Sequence, residues 1–190
     1  MDGRPWEVRQ SGHGTVVIPA EPGSYTLIAH AELGGELGRQ TLPIEVVSYD
    51  TTPSVSDLLL GRAWDESVVG RQEMLQHMQR DLTFRSGDTV RTYAELYGLA
   101  AEAGTSWYRA SYLLFKSGDV RRDYVADEWP EAQRFEFERR VPAPATEIAI
   151  ESLDMLPRWI PDGLYLLRLE VEDLIARRPA GRATIALEVR

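Results

Sequence analysis

The chain has 190 residues, of which 43% are hydrophobic and 27% charged, with a formal charge of −9. That is enough apolar material for a packed core, but no run reaches the 18 apolar residues of a helical bilayer span, so membrane insertion is not expected. The acidic balance repels phosphate backbones and argues against a nucleic-acid partner, and with no cysteine there is neither a disulfide nor a thiolate.

The opening MDGRPWEVRQ lacks a basic n-region followed by an apolar h-region, so no signal peptide is read in this chain. WEVRQ (6–10) and TVVIP (15–19) read as two short strands. EPGSYTLIAHAELGGELGRQTLPIEVV (21–47) then reads as turn, strand, polar loop and strand, which is a hairpin.

The same pattern closes the chain as PDGLYLLRLEVEDLIARRPAGRATIALEV (161–189). Gly23, Tyr25 and Leu27 match Gly163, Tyr165 and Leu167. After a loop three residues longer in the second copy, Thr41, Leu42, Ile44, Glu45 and Val46 match Thr184, Ile185, Leu187, Glu188 and Val189. Upstream, 6–10 matches RFEFERRV (134–141) and 15–19 matches EIAIE (147–151). Gly supplies an unusual backbone turn, and a Tyr just inside the following strand can return its hydroxyl to that corner, as in immunoglobulin-type sandwiches.

SYDTTPSVSDL reads as a linker and sets a boundary between residues 1–52 and 53–190. Residues 55–64 form the first strand of the second module, and ESVVGRQEMLQHMQRDL (66–82) is expected to be a loop with a short strand around 74–79. Val90, Thr92, Ala94 and Leu96 alternate with Arg91, Tyr93, Glu95 and Tyr97 on one strand. AAEAGT is a hairpin loop leading to a second long strand, SWYRASYLLFKSGD. The expected fold is all-β, with two tandem immunoglobulin-like β-sandwich modules. The first is incomplete, having about four strands where such a sandwich needs about seven.

FRSGDTVRTYAELYGL, YRASYLLF and the terminal hairpin together resemble the C-terminal β-sandwich region of bacterial GWxTD-domain proteins, over roughly residues 55–190. The Gly-Trp-x-Thr-Asp motif itself is absent. The resemblance implies an extracytoplasmic bacterial protein, longer than this chain, with no catalytic residues to carry over.

Chemistry leaves few candidates. His13, His30 and His77 show no zinc spacing, and no serine sits in a Gly-x-Ser-x-Gly elbow. Asp65-Glu66, Asp127-Glu128, Glu170, Glu172 and Asp173 read as solvated faces. Asp119, Asp123 and Asp127 lack the spacing of a calcium loop. No catalytic residue, metal or cofactor is expected. The binding candidates are Tyr93, Glu95, Tyr97, Trp107, Tyr108 and Tyr112, placed on two neighbouring strands as a half-exposed aromatic face. The expected function is a non-catalytic interaction or structural module whose partner is another protein or upstream domains. The alternative is a ligand-binding accessory module, for carbohydrate for instance, using that aromatic face.

Overall fold

The computed structural model describes residues 18, 20–46, 48, 53–65, 70–116, 131–143, 148–155 and 160–190. The described residues are all-β apart from one short helix, and the chain divides into two compact units, Met1–Ser48 and Tyr49–Arg190.

In the first unit, β1 (Gly23–Leu33) and β2 (Glu36–Val46) form an antiparallel hairpin across Gly34 and Gly35. Both glycines have φ in the left-handed region, at 61° and 86°, which any side chain would resist. The strands expected at 6–10 and 15–19 lie outside the described residues, Ile18 excepted.

The second unit is a sandwich of two sheets. β3 (Ser54–Val55) and β4 (Leu59–Arg62) run end to end along one edge of β6 (Val90–Tyr97), and β9 (Ile148–Met155) pairs along its other edge. The facing sheet has the order β5-β11-β10-β7-β8. Its members are β5 (Thr83–Phe84), β7 (Thr105–Lys116), β8 (Glu131–Pro142), β10 (Gly163–Asp173) and β11 (Arg178–Val189). β5 is parallel to β11, and every other pair is antiparallel. The chain therefore changes sheets between β4 and β5.

Alternation explains the core. Val90, Ala94 and Leu96 of β6 meet Tyr108, Ala110, Tyr112 and Leu114 of β7, with Tyr165, Leu167, Leu169 and Val171 of β10 beside them.

Three expectations need correction. Residues 71–77 form a helix, α1 (Arg71–His77), and only Met78 joins a strand-like bridge, to Gly61. Gln and Glu favour helix there, and Met74 gives it one fully buried anchor. The segment 55–64 is split into β3 and β4 rather than being one strand. Finally, β6 and β7 are not a hairpin: they belong to different sheets, and residues 98–104 cross between them, with φ positive at Gly98, Ala103 and Gly104.

The two terminal hairpins share one register. Gly23 faces Val46 as Gly163 faces Val189, Tyr25 faces Ile44 as Tyr165 faces Leu187, and Ala31 faces Gly38 as Val171 faces Gly181. The longer loop of the second copy is taken up by a one-residue shift between Val171 and Glu172 and by a longer turn between Asp173 and Arg178. Both hairpins begin with a tyrosine corner. The Tyr25 hydroxyl donates to the Glu21 carbonyl at 2.8 Å, and the Tyr165 hydroxyl to the Pro161 carbonyl at 2.5 Å.

Candidate functional site

The six residues singled out from the sequence go to three separate places. Tyr93, Glu95 and Tyr97 lie on the outer face of the β6 sheet, where Glu95 accepts from both phenols, at 2.9 and 2.6 Å, and from Arg71 of α1 at 3.2 Å. Tyr93 is buried, and burial with the Glu95 carboxylate next to it holds its phenol well above the usual value. Beside this group Arg91 is bidentate to Asp154, both bonds at 2.7 Å, and its guanidinium lies 4.3 Å from the Trp64 ring centroid. His77 stacks on the same indole at 4.2 Å.

Tyr108 and Tyr112 point the other way, into the sandwich. They converge on Glu151 of β9, which has no exposed surface. Tyr108 donates to Oε2 at 2.8 Å and Tyr112 to Oε1 at 3.2 Å, while Thr92 bonds the Tyr112 hydroxyl at 3.0 Å. Arg139 of β8 supplies the counter-charge, donating from Nη2 at 3.3 Å; its Nε approaches at 2.8 Å without hydrogen-bond alignment. Burial raises the Glu151 pKa even though the phenols and Arg139 pull it down, and burial raises both phenols too. In sequence, Glu151 is in phase with Ala149, Leu153 and Met155, and that phase was the available signal for a buried carboxylate.

Trp107 stands on the outer face of the five-stranded sheet under Arg140, whose guanidinium is 4.5 Å from the ring centroid. Next to it Arg109 bridges Glu172 at 2.7 Å and Glu138 at 2.9 Å. Because β6 and β7 are in opposite sheets, Tyr93 and Tyr97 share no face with Trp107. The single aromatic face expected from the sequence is not built.

Among the acidic residues read as solvated, Asp173 is fully buried. It accepts from the backbone N–H groups of Ala100, Ile175 and Ala176 at 2.7–3.0 Å, joining the β6–β7 crossing to the terminal turn. The described residues contain no group of three His, Asp or Glu arranged to hold a metal ion. Asp119, Asp123 and Asp127 fall outside them.

What is exposed is elsewhere. Apart from Phe135, every large exposed hydrophobic among the described residues is in the first unit: Ile18, Tyr25, Ile28, Leu37, Leu42 and Ile44. Tyr25, Leu42 and Ile44 are the repeat counterparts of Tyr165, Ile185 and Leu187, which help form the core of the second unit.

No protein-family model matches the sequence, and no curated protein matches it.

Proposed function

We propose that the chain is a non-catalytic interaction module, in which the second unit is a stable sandwich and the first presents a hairpin to a protein partner. The observation that carries this is the contrast between two hairpins of one register, whose inner face is buried in the second unit and exposed in the first. Burying a side chain of this size is worth roughly 1.5–3 kcal/mol, so a covered hairpin is strongly favoured over a bare one. The polar groups of the sandwich are meanwhile occupied with one another: Glu151 with two phenols and an arginine, and Glu95 with two phenols and another. The resemblance to the sandwich region of GWxTD-domain proteins supports placing this module in a longer, extracytoplasmic bacterial protein.

A panel of chromogenic hydrolase substrates, a glycan array and cross-linking to candidate partner proteins test the reading together. The expected result is no turnover, no glycan bound, and partner cross-links concentrated in residues 20–48. Saturable glycan binding lost on Tyr97→Ala or Trp107→Ala would replace it with the ligand-binding alternative.

A further inference from the structure

We propose that the outer edge of β1 is a strand-acceptor site, which takes an antiparallel strand from another protein in the register that β7 takes on β10. This rests on the interaction-module reading and says where the interaction occurs.

The register identifies which backbone groups face that edge. In the second unit the Glu188 and Arg190 N–H groups donate to the carbonyls of Leu82 and Phe84 on the β5 side, so even-numbered residues of β11 turn their N–H away from β10. Their cross-strand partners Leu166, Arg168 and Glu170 therefore turn theirs toward β7. The counterparts in the first unit are Thr26, Ile28 and His30. β1 pairs only with β2 among the described residues, and these three groups have no ladder partner among them.

The other edge of the hairpin is blunted. Pro43 is the counterpart of Ala186, whose N–H points to the β5 side, and Pro has no N–H to offer there. That placement also explains why Pro43 is tolerated opposite Thr26 without a break in register. One edge is closed by sequence, and β1, which contains no proline, is left open.

The second unit also specifies the occupant. On β7 the residues opposite Leu167, Leu169 and Val171 are Leu114, Tyr112 and Ala110, so a strand seated on β1 presents apolar side chains at alternate positions beside Leu27 and Ala29. Glu172, opposite Arg109 and bonded to it at 2.7 Å, recurs as exposed Glu32. The occupant therefore carries a basic residue at that point. The hairpin itself bears Glu21, Glu32, Glu36 and Glu45 against Arg39, and each chain carries −9, so a second copy is disfavoured by like charge.

The test uses the full chain and a synthetic peptide of residues 106–116, which carries the β7 pattern with Arg109. Calorimetric titration is expected to show saturable one-to-one binding. N-methylation of the peptide at the Ser111 and Leu113 positions removes two edge bonds and should weaken binding at least about tenfold. Glu32→Arg lies on an exposed site and should weaken the native peptide about two- to fivefold, with affinity restored by a peptide carrying Arg109→Glu. Absence of binding, equal binding of the N-methylated peptide, or no rescue by the charge swap would each overturn the site. A chain that is already dimeric and releases no peptide-accessible edge would assign the edge to a second copy and overturn the proposed occupant. A silent substrate and glycan screen alongside a failed peptide titration would remove this site while leaving the broader interaction reading in place.

Discussion

Glu151 is the residue on which the interior of the sandwich turns. A carboxylate with no exposed surface is tolerable only because Tyr108, Tyr112 and Arg139 surround it. Removing it as Glu151→Ala takes the acceptor from the Tyr108 hydroxyl and the counter-charge from Arg139, and should cost about 3 kcal/mol in a denaturant titration. Its pKa is raised on folding, so the folded state holds the proton more tightly than the unfolded chain. Its contribution is therefore fully present below the unfolded value and declines as pH rises through the folded one. The stability difference between the native chain and Glu151→Gln should shrink in the native chain's disfavour as pH is raised from the acid side, and a pH-independent difference would contradict this. The tyrosine corners give a paired prediction. Tyr165→Phe strips the Pro161 carbonyl of a donor inside a packed corner and should cost about 1–1.5 kcal/mol. Tyr25→Phe, at an exposed corner that water can reach, should cost less.

At the level of elements, α1 shows why packing can outrank pattern. It is only seven residues long, has no side-chain cap at Gly70, and buries Met74 alone, so periodicity in the sequence could not separate it from a short strand. What holds it is contact: the Trp64–His77 stack, the Arg71–Glu95 bridge, and close approach at Gly61. A Cβ at Gly61 would sit 2.5 Å from the His77 carbonyl oxygen and 3.2 Å from the Met74 methyl. Gly61→Ala should therefore lift the end of α1 from β4 at a cost of about 1–3 kcal/mol. Amide exchange at residues 74–79 should accelerate well beyond that of β10, and unchanged exchange there would show that the helix end tolerates the methyl group. The long strands were legible because Tyr165, Leu167, Leu169 and Val171 alternate without interruption. Their assignment to sheets was not. Alternation tells which face of β6 and of β7 is buried but not which neighbour each strand takes, and so Tyr93 and Trp107 were placed on one surface when the fold separates them.

For the molecule as a whole, the internal repeat is the organising fact. It is visible in the sequence at Gly23, Tyr25 and Leu27, and the shared register extends it through the cross-strand pairs from Gly23–Val46 to Ala31–Gly38. The edge of β1 was harder to see. Only the direction of the Glu188 N–H in the second copy indicates, by the shared register, that Pro43 faces the edge away from β1. The central claim is that β1 carries open backbone donors where β10 carries satisfied ones. Residue-resolved amide hydrogen exchange on the intact chain tests it most directly. The account predicts fast exchange at Thr26, Ile28 and His30 together with strong protection at Leu166, Arg168 and Glu170, and slowing of the first three when a strand is bound. Protection of Thr26, Ile28 and His30 in the unbound chain equal to that of their counterparts in β10 would contradict it.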